Sequence, residues 1–429
     1  MKIAYLIPEF PGQTHAFFMR ERDELTKRGV KASLYSTRPP ENGAAAHEWA
    51  AAAAAETNYL TPLTPQHLLR GLGQLLKSGP VAWLQCLLIV MAAKDITLKQ
   101  RCQLLAMIPV AAAFAAHAKR DGVLHLHIHS CANAAWIGVF ASKLTGLKYS
   151  LTLHGPLVDY GPNQILKWRS AAFVIIITKE LLAQVRNTLP ADQLPPLLLA
   201  PMGVDVSSFQ RTESYEPPSA NSELRLVSCG RINVCKGHDD LIRVVHALRK
   251  RGIDAKLHIC GASDGRKQAY LDLIQSLIDE FNLQDHVKLL GSVSEEVVRD
   301  ELQSAHVFCL ASHKEPLGVA TMEAMSMEIP VIVTRSEGVT EMVESTVDGL
   351  LVQPHSPGEF VDRICELLDD PTEARRLGMA GRQTIVERFH SGVSAEAIIR
   401  GIEGFIPEEL SKPGTQQATD SVQALQQVR

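Results

Sequence analysis

Short apolar, often β-branched runs alternate along this chain with longer amphipathic stretches. Residues 3–7, 32–36, 124–129, 149–153 and 173–177 read as strands in the first half. In the second half, 224–229, 256–260, 287–290, 307–310, 331–333 and 349–352 do the same. Helical spacing separates them, as at 17–28, 239–251, 267–281 and 357–368,. Strand–helix alternation predicts parallel sheets with crossover helices, and here the pattern runs through twice. The expected class is α/β: two Rossmann-like, doubly wound parallel-sheet domains facing across a cleft.

The break between them falls in the polar, Pro-bearing stretch between 210 and 222, which has no period,. The expected units are a first domain, 1–210, and a second, 222–390. A closing helix, 391–410, is expected to return to the first domain, and 411–429, rich in Gln, Ser and Thr, to be a disordered tail,. The alanine-rich stretch 44–55 reads as a helix. Residues 81–93 and 104–116 carry no Asp, Glu, Lys or Arg, yet each falls short of the ~20 residues that span a bilayer. They read as buried or interfacial helices, a core position being favoured over a membrane surface. The apolar run 3–7 stops at Pro8, too soon for a signal peptide, and reads as a first buried strand,.

Composition changes this picture in three places. With 46% hydrophobic and 21% charged residues, the chain reads as soluble and globular,. Its net charge of −4 divides unevenly. Residues 1–205 hold 20 Lys and Arg against 13 Asp and Glu, or +7, and the remainder 23 against 34, or −11. A basic half suits an anionic substrate or weak association with an anionic membrane surface. Nucleic acid is not expected as a partner, because no basic run with interleaved aromatics occurs,. The eight cysteines form no CxxC pair, and several sit in apolar runs. That points to buried thiols in a reducing cytoplasm.

Ligands of doubly wound sheets bind beyond the C-terminal strand ends, so chemistry is sought just after each strand. After 307–310 comes a loop carrying Glu315, then Gly318 at a helix start, with Glu323 further in. Glycine there lets backbone N–H groups approach a phosphate, which the helix dipole also favours. Glu323 can accept from both hydroxyls of a ribose, and Glu315 from those of a hexose. After 224–229, Arg231 and Lys236 stand between Gly230 and Gly237. They can neutralise a diphosphate without a metal, Arg as a planar fork and Lys as a point charge. Neither a P-loop nor a GxGxxG fingerprint is present. Two solvated glutamates by a helix cap, or a solvated basic turn, remain the plain alternatives for each motif alone.

Together these motifs resemble glycosyltransferase family 4, the retaining GT-B enzymes, and in particular bacterial exopolysaccharide and colanic-acid transferases. Glu315 and Glu323 meet the family's Glu-x7-Glu pattern, and Gly230 through Gly237 its Gly-Arg-x4-Lys-Gly element. Residues 330–334, 337–341 and 348–352 follow its later strand, Gly-rich turn and closing strand. The resemblance implies a GT-B fold and transfer of a sugar, with retention, from a nucleotide sugar to a glycan or lipid-linked acceptor. It implies no cofactor and no metal. Arg231 and Lys236 are implied to hold the diphosphate, Glu315 the donor sugar, and Glu323 the ribose. Leu317, Gly318 and Val319 are implied to give backbone contacts, and Val293, in the turn after 287–290, to face the base. His154, in His-Gly-Pro after 149–153, resembles the histidine that reaches the reacting sugar. Gly12, in the first loop, is implied to line the donor site. Arg20-Glu21 matches a branch common among exopolysaccharide transferases. His125, His127 and His129 alternate on one strand and are read as packing residues, not metal ligands.

The sequence departs from the pattern in the first loop, which has one glycine, before Pro330, where Met327-Glu328-Ile329 fills a turn that usually holds a glycine, and at Glu337, which stands where the first of two glycines usually sits. Two other readings stay open: a nucleotide-sugar epimerase or hydrolase on the same fold, and a catalytically silent sugar-nucleotide-binding partner. The first lacks extra cleft carboxylates, and intact motif residues speak against the second.

Overall fold

The computed structural model describes residues 1–40, 45–219, 222–263 and 268–404. The expected tail at 411–429, and the end of the helix expected over 391–410, lie outside the described residues. The first half builds β1 (Lys2–Glu9), β2 (Lys31–Arg38), β3 (Asn58–Tyr59), β4 (His125–Ile128), β5 (Lys148–Leu153), β6 (Val174–Ile176) and β7 (Leu197–Leu199). The second builds β8 (Leu224–Cys229), β9 (Ala255–Cys260), β10 (Val287–Gly291), β11 (Val307–Leu310), β12 (Val331–Thr334) and β13 (Leu350–Val352).

The sheets run β3-β2-β1-β4-β5-β6-β7 and β10-β9-β8-β11-β12-β13. Every neighbouring pair within them is parallel. Both orders reverse beside their first strand, between β1 and β4 and between β8 and β11. Such switch points open a crevice at the carboxyl ends of the strands. The central strand β1 is apolar on both faces, as a sheet covered twice requires: Ile3, Ala4, Tyr5 and Leu6 are all buried.

Two chain crossings join the domains, and they are strapped together. Val204 N–H donates to Phe389 O at 2.9 Å, and Ser391 N–H to Val204 O at 2.9 Å. A Cβ on Gly203 would stand 2.3 Å from the His390 carbonyl, so the strap is as close as two backbones can lie,. Beyond it, helix Gly392–Glu403 lies against the first domain, where Ala395, Ile398 and Ile402 share a core with Phe18 and Leu25 of helix Ala16–Lys27.

Between β3 and β4 stand two long helices, Pro65–Ala92 and Leu98–Arg120. The charge-free stretches are only parts of them. By length and composition both are long and apolar enough to cross a membrane, which corrects the expectation that they fall short. The first is broken at Gly79, whose φ of 77° leaves the helical region, followed by Pro80,. They meet closely where Gly71 approaches the Pro109 carbonyl and Ala113. The second buries Val110 to Ala115. The first instead leaves Leu69, Leu76, Val81, Leu84, Leu88 and Met91 exposed, so the core reading fails for it. The alanine-rich helix begins only at Ala50. Before it, Ala46 N–H donates to Gln13 Oε1 at 2.9 Å, and His47 Nε2 lies 2.8 Å from Gln13 O.

Candidate functional site

Three backbone loops interlock above β8, β11 and β12. Gly237, at φ 62°, caps helix His238–Lys250, and its Cβ position lies 2.1 Å from Ala311 O. Gly338 lies so close to Pro316 that a Cβ would stand 1.6 Å from its carbonyl oxygen. His313 N–H donates to Cys235 O at 2.8 Å, and Gly338 N–H to Glu315 O at 3.3 Å. Only glycine tolerates either approach. We therefore expect Gly338→Ala to destabilise the second domain by more than about 3 kcal/mol, in line with severe overpacking, measured as a fall in urea midpoint. An unchanged midpoint would contradict the interlock.

This packing brings Lys236 onto Glu315. Their side chains form an ion pair at Oε2, which also accepts from Ser312 Oγ at 3.3 Å. Gly318, at φ 91°, caps helix Val319–Ser326, while Leu317 is buried beneath. Arg231 is exposed. Its charge is felt by His15 of the first-domain loop, whose pKa falls to about 4 through burial first, then His47 and Arg231, against Glu9. Arg231, Lys236, Glu315, Leu317, Gly318 and Val319 thus share the loops of one switch point.

The loop holding Gly12 faces this region from the first domain. Gln13 Nε2 donates to Val293 O at 2.7 Å across the cleft. Glu323 is buried and receives Arg20 Nη2 at 2.7 Å, also from across the cleft. Arg20 bonds Glu295 as well, and Trp49 Nε1 donates to Glu295 Oε2 at 3.0 Å. Burial raises the Glu323 pKa, and Arg20 pulls it back down.

His154 follows β5 and packs against Phe17 and Phe18. Its Nε2 lies 3.2 Å from His129 Nδ1, and His129 Nε2 lies 3.1 Å from Glu21 Oε1. Tyr5 donates to that same oxygen at 2.6 Å. Burial pushes His154 and His129 each down to about 3, so both are neutral near pH 7. His154 Nδ1 is buried without a partner among the described residues. Deeper along the strand, His125 Nε2 and His127 Nδ1 share Ser150 Oγ at 2.7 and 2.8 Å, and His127 Nε2 meets Thr152 Oγ1 at 3.0 Å.

Among the described residues, two groups of side chains are close enough to hold a metal ion: Glu21, His127 and His129, and Asp240, His313 and His355. In the first, both His127 nitrogens already have hydroxyl partners, which favours a hydrogen-bond network. In the second, the His313 and His355 rings are in contact at a tilt of 40°, 3.7 Å between centroids, and His313 Nε2 lies 3.2 Å from Asp240 Oδ2 while the exposed His355 stands further off at 3.9 Å. A cavity of about 400 Å³ adjoins it, lined by His313, Lys314, Arg335, Ser336, Glu337 and Thr340.

The departures in the motifs acquire reasons here. Glu337 is exposed beside that cavity, so its side chain has room; the neighbouring Gly338 is the position that needs glycine. Glu328, before Pro330, takes a φ of 58°, the left-handed conformation that glycine adopts without strain. Sequence reasoning gave Arg20 and Glu21 no chemical role and missed Glu295 and Trp49. One signal was present: Glu21 falls on the apolar face of its helix, between Phe18 and Leu25.

Residues 210–384 match the family model "Glycosyl transferases group 1". Over 274 residues the chain is 26% identical to the alpha-D-kanosaminyltransferase of Streptomyces kanamyceticus, covering 59% of this chain and 70% of that one. It is 26% identical over 247 residues to the putative colanic acid biosynthesis glycosyltransferase WcaL of Salmonella typhimurium, covering 53% and 58%. Several other curated relatives are matched over about half of their length. Among solved structures, Anabaena HepE in complex with UDP-glucose superposes with a TM-score of 0.68 at 16% identity, over 95% of this chain and 100% of that one. The family match thus falls on the domain that carries Arg231, Lys236, Glu315 and Glu323, and the superposition extends the likeness in fold to both domains of the chain.

Proposed function

We propose that the protein is a retaining hexosyltransferase. It moves a sugar from a nucleoside-diphosphate donor to a glycan or lipid-linked acceptor in cell-surface polysaccharide assembly. The observation that carries this reading is the Lys236–Glu315 ion pair beside the Gly318 helix start, with Arg231 on the adjoining loop. A diphosphate laid there meets two cations and backbone N–H groups, fixed charges that need little reorganisation as the leaving group departs. Glu315, held by Lys236 and Ser312, accepts from sugar hydroxyls. Glu323 accepts from the ribose. His154, uncharged at neutral pH, faces the sugar from the first domain.

The reaction breaks the bond between the anomeric carbon and the leaving phosphate oxygen and forms one to the acceptor hydroxyl oxygen on the same face. The acceptor's proton passes to the departing phosphate. The HepE complex with UDP-glucose supports a nucleotide-sugar donor, and the WcaL relative supports the polysaccharide setting.

No metal is required, because side-chain cations do the work a bound Mg²⁺ does elsewhere, and the sequence has no Asp-x-Asp element. Turnover of nucleotide sugar with added acceptor is expected to continue unchanged in EDTA. Loss on chelation, restored by Mg²⁺ or Mn²⁺, would refute the metal-free reading. Donor consumed equally without acceptor would indicate a hydrolase, and donor bound without turnover a silent partner.

The enzyme works in the cytoplasm at the inner face of the membrane. The exposed apolar face of Pro65–Ala92 supports this, together with the cations around it: Arg70, Lys77, Lys94, Lys99 and Arg101 outnumber the one acid nearby, Asp95.

A further inference from the structure

We propose that Arg20, on the first domain, is the positioning residue of the ribose subsite on the second, holding the Glu323 carboxylate ionised and aimed at the donor's vicinal hydroxyls. This rests on Glu323 as the ribose acceptor. Arg20 is buried, a long cation on a helix whose other buried residues are Phe18, Glu21 and Leu25, and its guanidinium lies 4.7 Å from the Phe209 ring centroid. One nitrogen, Nη2, serves both Glu295 and Glu323. The other, Nη1, is buried with no partner among the described residues. On Glu323 only Oε1 is engaged, so among the described residues Oε2 has no protein donor. An unpaired donor and an unpaired acceptor on the two halves of one ion pair suit a vicinal diol, which can give one hydrogen bond and take another.

The charges around Glu323 give Arg20 a further duty. Glu295 comes from helix Glu295–Ser304, and His47 from the segment before helix Ala50–Glu56. The thiols of Cys229 and Cys260, on β8 and β9, are both pushed up by burial and stay neutral. Burial and Glu295 favour the protonated acid at Glu323, while Arg20 supplies the main opposing pull. A protonated Glu323 loses half of its accepting capacity, so ribose recognition fails as pH falls through its pKa. Without Arg20 that failure starts at a higher pH. Because Arg20 belongs to the other domain, ribose affinity also depends on the cleft being closed.

The test is calorimetric titration of the full chain with UDP, GDP and ADP, and with the 2′,3′-dideoxy form of whichever binds, from pH 5 to 8. Wild type, Arg20→Lys and Arg20→Ala are compared, with melting temperatures alongside. In wild type, removing the ribose hydroxyls is expected to weaken binding roughly 10- to 100-fold, as for hydrogen bonds to a charged group. In Arg20→Ala the parent nucleotide weakens by about tenfold or more while the dideoxy form hardly changes, and the acid limb moves to higher pH. Arg20→Lys, which keeps the charge but not the fork, falls between the two, and it serves alone if the alanine variant does not fold. A full dideoxy penalty and an unmoved acid limb in both variants would overturn the inference while leaving the proposed function intact. A wild-type protein that binds none of the three nucleotides would overturn the proposed function, and this inference with it.

Discussion

Replacing Lys236 or Arg231 by alanine is expected to lower kcat/KM for the donor by about 10- to 150-fold at least. That range corresponds to ~1.5–3 kcal/mol for one hydrogen bond to a charged group. The loss grows where the contact tightens in the transition state, since a leaving diphosphate gathers charge as its bond to the sugar breaks. The two variants differ in side effects. Arg231 is exposed, so its removal leaves the fold untouched and the melting temperature constant. Lys236 also holds Glu315. Its loss releases a carboxylate beside the sugar, so Lys236→Ala weakens sugar selection as well as diphosphate binding. Steady-state kinetics on purified variants read both effects, and near-normal turnover in both would remove the diphosphate assignment.

Binding of the whole chain to vesicles rich in phosphatidylglycerol is expected at low salt, with release by about 0.5 M NaCl. Each basic residue near an anionic surface contributes about 1 kcal/mol, and salt shortens its reach. Electrostatics alone would be weak here; apolar contact adds to it. Fully burying a leucine-sized side chain is worth ~1.5–3 kcal/mol, and Leu69, Leu84 and Met91 stand exposed on one helix. The triple substitution Leu69→Asp, Leu84→Asp, Met91→Asp replaces that contact with repulsion. It is expected to reduce vesicle binding by well over tenfold while leaving donor binding on the second domain as before. Co-sedimentation decides it: no binding of wild type at low salt would leave this face without a membrane role.

The fold was legible because its strongest signals are local. Residues 224–229 and 307–310 read as strands because apolar runs of that length, closed by turn residues, have few other solutions. β3 and β7 escaped notice for the opposite reason. Asn58–Tyr59 is two residues long, and Leu197–Leu199 lies in a leucine-rich run behind two prolines without alternation. The long helix at Pro65–Ala92 was seen only in part, since its leucines stand mostly on the exposed side while Gly71, Gln74, Ala82 and Cys86 are among the buried positions, which blurs the period. At the site, residues on one loop could be proposed together: Arg231 with Lys236, Glu315 with Glu323. What sequence spacing cannot display is a pair such as Arg20 with Glu323, 303 positions apart and on different domains. Glu328 shows a third case. The missing glycine was visible, but not that the turn would keep its left-handed geometry and load it onto a glutamate.

The strap joining Gly203–Val204 to Phe389–Ser391 has a mechanical consequence. Two separate crossings could each bend, and the domains could then twist, slide and rock. Fastened side by side by paired backbone hydrogen bonds, the crossings act as the leaves of one door hinge, leaving a single easy rotation. Gln13 and Arg20 of the first domain meet Val293 and Glu323 across the same cleft, so a rotation about the strap would make or break both contacts together.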